Sequence, residues 1–232
     1  MRSLAAIRAL WFGITDPGRV PAEIKDAAVA VFATAVLLLS LTMTAATLVE
    51  STDVVLQKES SVLARGAQNL LGSEQVDLSS SQRRFTAVLG GALMNAIIST
   101  VVLGVMFWIL LRFMTDQPIS YLTALAGVSA MSGIDVVKSI AMTPLHLLTH
   151  SNRIGLHAGI FTDPSSHPFL FAWLQRFDVF SLWQYLAIGA VLAISAHLHH
   201  RYGLVVGGVV FLIVQLLFGG LTLVAWVVAQ SA

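Results

Sequence analysis

The chain has no cysteine among its 232 residues, which excludes disulfides, thiolate metal sites and cysteine nucleophiles. Charge is also scarce. Asp, Glu, Lys and Arg together make up 11% of the sequence, against about 25% in a soluble domain. So few charges cannot cover a water-facing surface. A net charge of +1 lacks the basic footprint of a nucleic-acid binder. No GxSxG, phosphate loop or GxGxxG occurs, so no nucleotide site and no nucleophile constellation is expected. These absences predict a non-enzymatic chain without a cofactor. A cleavable signal peptide is not expected either. Residues 4–14 are too short and interrupted for its apolar core, and Asp16-Pro17-Gly18 stops them without a small-residue cleavage site.

What the chain has is apolar residues, 56% of the total. They gather in five runs, 27–49, 85–111, 119–145, 179–197 and 204–229. A bilayer core about 30 Å thick needs about 20 apolar residues as helix. The prediction is an all-α, polytopic transmembrane bundle of five spanning helices, the first acting as an uncleaved signal anchor. Residues 1–26 form an amphipathic lead-in and residues 27–232 the membrane domain, with polar connections at 50–84 and 146–178.

In the lead-in, Leu4, Ala6, Ile7, Leu10, Trp11 and Ile14 recur at helical spacing, with Arg2 and Arg8 off the stripe. That pattern predicts a helix lying in the headgroup plane. Pro21 is placed to open a second short helix through Lys25. In the first run, Ser40, Thr42, Thr44, Ala45, Ala46 and Thr47 predict a face for close helix packing. The glycine pairs Gly90-Gly91, Gly207-Gly208 and Gly219-Gly220 predict the same. Trp108 and Arg112 read as an interfacial anchor, and Asp116-Gln117-Pro118 as a tight turn. Residues 162–168 read as loop. Phe169, Phe171, Trp173 and Phe177 form an aromatic patch suited to the interface, and residues 198–203 a short turn.

Basic residues divide six against six between the two sides. The far-side loops are much longer, so the basic density beside the first run places the N-terminus in the cytoplasm.

Few residues carry chemistry. Asp135 and Lys138, three apart in the third run, share a helix face and are expected to neutralise each other as an intramembrane ion pair. A mid-membrane charge is a functional candidate by default. One reading is an ion or solute transporter using this pair; the plainer one is a structural pair. His146 and His150, four apart, have the spacing of a shared metal but no HExxH carboxylate, so no metal is expected. Axial ligation of a pigment or haem, in a cofactor-holding subunit of a redox complex, is a further alternative. His197, His199 and His200 read as the C-terminal end of the fourth helix, where histidine complements the dipole.

Asp178, Phe180, Ser181 and Trp183 open the fourth run. Asp178 or Ser181 can cap the helix start, while Phe180 and Trp183 anchor it at the interface. The segment Arg176-Phe177-Asp178-Val179-Phe180-Ser181-Leu182-Trp183, followed by Gln184-Tyr185-Leu186-Ala187-Ile188-Gly189, resembles the start of the fourth span in bacterial Yip-domain proteins. The layout is similar: a lead-in with a proline-containing turn, five spans and almost no tail. The third run lacks a mid-span proline, and Asp135 and Lys138 lie outside the pattern. The resemblance implies a non-catalytic protein of the bacterial inner membrane. Eukaryotic members of the family act with small GTPases and shape membranes, and some bacterial members are accessory partners of ABC exporters. The expected partners are thus lipid and other membrane subunits, with neither nucleic acid nor nucleotide.

Overall fold

Backbone amides in lipid have no water to bond, so an apolar chain of this kind closes its hydrogen bonds within helices. A computed structural model describes residues 2–53, 56, 81–114, 119–151, 153–162 and 167–231, with backbone alone at 81–84, 168, 221–223 and 225–231. Among the described residues the regular structure is helical, apart from one antiparallel bridge between His157 and Asp178. The helices are α1 (Arg2–Thr15), α2 (Val20–Ile24), α3 (Ala28–Glu50), α4 (Ser81–Met114) and α5 (Tyr121–Met131). They continue as α6 (Gly133–Thr149), α7 (Pro168–Leu174), α8 (Val179–Ser195) and α9 (His200–Ser231). Most of the polar connection at 50–84, namely residues 54–55 and 57–80, the turn at 116–118 and the loop residues 163–166 lie outside the described residues.

Four stretches are long and apolar enough to cross a membrane: Ala28–Glu50, Phe85–Met114, Tyr121–Thr149 and His200–Gly220. The fourth expected run is shorter than its sequence. Helix α8 has 17 residues, about 25 Å at the helical rise. It ends early because His197 turns into the left-handed region at φ 58°. His197 N–H then bonds Ile194 O at 3.0 Å, and Leu198 N–H bonds Ala193 O at 2.8 Å. This pair of bonds is a Schellman stop with histidine where glycine is usual. The last helix accordingly starts at His200 rather than after residue 203, so His199 and His200 lie at its beginning rather than at the end of α8.

The third run is divided. Ser132 N–H bonds Ser129 O at 3.2 Å, and its hydroxyl donates to the same oxygen at 2.7 Å. This tight turn separates α5 from α6 and places Asp135 in the first turn of α6.

Helices α8 and α9 run antiparallel with their backbones in contact. A Cβ on Gly203 would stand 2.1 Å from Gly189 O, and one on Gly207 would stand 2.4 Å from Tyr185 O. Gly203 and Gly207 form a small-xxx-small step that dispersion between helices favours. Of the expected glycine pairs, among the described residues Gly207 and Gly219 approach a neighbour, whereas Gly90, Gly91, Gly208 and Gly220 have nothing described within 4 Å. In α3 the packing face includes Ser40 and Thr44, both buried, whereas Ala45 and Thr47 face outward. The Ser40 and Thr44 hydroxyls bond the carbonyls one turn back, at 2.6 and 2.7 Å, so the helix presents no unsatisfied donor there.

Helix α1 splits the apolar stripe into two faces. Ala6, Ala9, Leu10 and Gly13 are buried against the bundle. Leu4, Ile7 and Trp11 point outward, each 61% exposed. The four residues of the aromatic patch before α8 are all half-buried, and Phe171 stands edge-on to His157. Trp173 and Phe177 turn inward, continuing edge-on through Phe211 to Tyr185 with ring centroids 5.5–5.7 Å apart. At the end of α4, the Arg112 guanidinium lies over the Trp108 ring at 5.5 Å.

Backbone contact at α8/α9 leaves no room for a side chain. Gly203→Leu should therefore lower the thermal midpoint of the detergent-solubilised protein and broaden its gel-filtration peak, at a cost of about 3 kcal/mol. Gly208→Leu, facing open space, should leave both unchanged.

Candidate functional site

Between α3, α4, α6, α8 and α9 lies a cavity of about 680 Å³. It sits in the half of the bundle where α3 and α6 end and α8 begins. Apolar walls from Leu39, Met43, Leu103 and Val214 meet polar groups from Ser99, Asp135, Lys138, Gln184 and Gln215. Polar atoms on this scale inside an apolar bundle are costly unless they bond one another or a ligand.

Its centre is a layer joining α6 to the start of α8. Asp135 and Lys138 do lie on one face of α6, but Lys138 does not pair with Asp135. Its ammonium meets Asp178 Oδ2 at 2.9 Å, while the buried Gln184 amide donates to Asp135 Oδ2 at 2.5 Å. The antiparallel register of α6 and α8 explains the exchange: one turn along α6 matches more than one turn back along α8. The expected pair is thus replaced by two contacts across the helix interface.

Asp178 is the N-cap of α8, as the sequence allowed. Its Oδ1 accepts from Ser181 N–H at 2.9 Å, and the Ser181 hydroxyl donates to Oδ2. The residue is buried at 6% exposure. Two backbone bonds fix its approach: Ala158 N–H to Phe177 O at 3.0 Å and Val179 N–H to Leu156 O at 3.1 Å. Phe180, partly buried, packs toward the core, and Trp183 is 37% exposed.

His146 and His150 each take a carboxylate. His146 Nδ1 lies 2.7 Å from Glu50 Oε1, and His150 Nδ1 lies 2.5 Å from Asp53 Oδ2. Helices α3 and α6 end together, which brings residues 96 and 97 positions apart into contact. Among the described residues no group of three or more His, Cys, Asp and Glu is placed to hold a metal.

His157 occupies a smaller space of about 180 Å³ beside Lys138, His146 and Gln175. Both of its ring nitrogens are buried without a hydrogen-bond partner among the described residues. Burial pushes its imidazole below the ordinary histidine value. At the cavity edge, the exposed Arg176 lays its guanidinium over the Phe218 ring at 4.4 Å. One turn before Phe218, the buried Gln215 has its side-chain oxygen unpartnered among the described residues.

Comparison with protein-family models, curated proteins and solved structures found no match. The site therefore rests on its own geometry.

The sequence singled out Asp135, Lys138 and Asp178 but missed the Lys138–Asp178 pairing and the amides of Gln184 and Gln215. Gln184 and Gln215, amides inside apolar runs, were the available signal, since a buried amide needs a partner.

Two outcomes are expected. A double-mutant cycle of Lys138→Met with Asp178→Asn should show a coupling of about 1–3 kcal/mol in unfolding stability, larger than the coupling of Lys138→Met with Asp135→Asn. Equal couplings would return Lys138 to the pairing expected from spacing. For His157, the unfolded chain takes up its proton at higher pH than the folded chain. Stability should therefore fall as pH drops through about 6.5 and level off below the folded value. Thermal midpoints at pH 7.5 and 5.5 should show this loss, and His157→Phe should reduce it.

Proposed function

We propose that this chain is an integral membrane protein that takes a small polar or charged solute into its central cavity, as a binding or transport protein. One observation carries the reading: the Asp135–Gln184 and Lys138–Asp178 layer lines a cavity of about 680 Å³ inside an otherwise apolar bundle. A structural ion pair alone needs no such volume beside it, and cavities of about 300–1,000 Å³ are the usual size of ligand sites.

In this reading α8 is a fifth crossing. Its backbone contact with α9 over Gly189, Gly203 and Gly207 supports that placement, as does the lower end of the spanning range at about 17 residues. Helix α1 lies at the interface, packed on the bundle by Ala6, Ala9 and Gly13 and presenting Leu4, Ile7 and Trp11 to lipid. The N-terminus is placed in the cytoplasm of a bacterial cell, so the cavity belongs to the opposite half of the inner membrane. Accessory action with other membrane subunits, implied by the Yip resemblance, rests on residues 176–189; Asp178 and Ser181 of that segment serve here as a helix cap and an ion-pair anchor.

Reconstitution into liposomes tests the reading. Wild-type protein should take up or bind small charged solutes, and Asp135→Asn and Lys138→Met should each reduce this at least about tenfold, the loss of one charge-assisted hydrogen bond. Two variants that both behave as wild type would rule out this layer as the site.

A further inference from the structure

The charges around the cavity are not all matched. Lys138 is paired with Asp178, and His146 with Glu50. Two charges of opposite sign make no salt bridge among the described residues. Asp135 is hydrogen-bonded only by the neutral Gln184 amide, the nearby Lys138 ammonium being bonded to Asp178 instead, and Arg176 has only the Phe218 ring against its guanidinium. Both line the same cavity. Beside Arg176 is a third incomplete group. Gln215 is 4% exposed, its side-chain oxygen is buried without a donor, and it too lines the cavity. The two positions are tied together, because Trp173, one turn before Arg176, donates its indole N–H to Gln215 O at 3.1 Å.

A buried acceptor without a donor is rare and costly. A guanidinium held on an aromatic face keeps its forked N–H edge for an anion. A carboxylate bonded only by an amide keeps acceptor positions for a cation. We infer that the cavity binds a zwitterion, with an anionic group on Arg176 and a primary ammonium, or another N–H donor on the same molecule, shared between Asp135 and the Gln215 side-chain oxygen. The inference rests on the solute-binding reading and names the class of solute. Apolar walls from Leu39, Met43 and Val214 suit an alkyl segment joining or extending the two charged ends. A free amino acid and a phosphoethanolamine headgroup share this chemistry.

Purified wild-type protein is titrated by calorimetry with 4-aminobutyrate and, separately, with butylamine and butyrate. In a second arm it is placed in nanodiscs containing phosphatidylethanolamine, phosphatidylcholine or phosphatidylglycerol, and retained lipid is counted by native mass spectrometry. In at least one arm the zwitterion with a free ammonium should bind about tenfold more tightly than its comparators, as one charge-assisted contact requires. The arm that responds identifies the source as free solute or lipid. Arg176→Gln and Gln215→Leu should each abolish that preference while the protein stays monodisperse. Arg176 is exposed and Leu suits an apolar helix, so both variants should fold. If butylamine or butyrate binds as tightly as 4-aminobutyrate and the nanodiscs show no ethanolamine preference, the zwitterion class is wrong and solute binding survives. The class is equally wrong if Arg176→Gln leaves the preference intact. If no probe binds in either arm, solute binding falls with it.

Discussion

The carboxylate of Asp178 is the point on which the polar half of the bundle depends. It satisfies an amide at the start of α8 and takes the ammonium of Lys138 from α6. A helix start inside an apolar protein leaves orphan N–H groups, and a lysine on a membrane helix needs an anion. One buried side chain answers both needs. The bridge with His157 and the backbone bonds of residues 156–158 hold that carboxylate in place. Without it, α6 and α8 would keep only the Asp135–Gln184 contact one step deeper, and Lys138 would lose its anion.

Around this anchor the bundle uses two kinds of packing. On the α8/α9 side, glycines let the backbones touch, and an edge-on series of rings from Trp173 to Tyr185 fills the space beyond. On the other side, α3 packs on both α4 and α6, while α4 stands off α6 and α8 and leaves the cavity between them. Lipid supplies no hydrophobic drive to close such a gap, because acyl chains are as apolar as the helices themselves. Polar residues on its walls can therefore persist facing one another, provided each is bonded. Most are. Among the described residues the fully buried exception on these walls is the Gln215 side-chain oxygen, close to Arg176 at the cavity edge.

Legibility in the sequence varied with the range of the interaction. The helices at 28–50, 85–114 and 200–220 follow from apolar length, while α2 follows from Pro21 and the start of α8 from the Asp178 cap. The end of α8 at Ser195 was hidden, because the Schellman stop uses His197 in a backbone state that histidine seldom adopts. The division of the third run at Ser132 was likewise invisible, since hydroxyl residues within apolar helices bond back to carbonyls without breaking them elsewhere in this chain. Pairing of Asp135 with Lys138 was a fair inference from spacing, and it failed because a closer anion arrives from a residue 40 positions away.

The sequence by itself determined that this is an all-helical chain for an apolar solvent, where its main helices run, and which charged residues are out of place there. Those properties depend on composition and on contacts within a turn or two. Tertiary structure alone decided which charges meet, that histidines at the end of α6 find acids at the end of α3, and that a cavity separates α4 from α6 and α8. Each of these depends on the relative register of helices distant in sequence. That register is set by glycine contacts, ring packing and one buried carboxylate, which periodicity along a single helix does not encode.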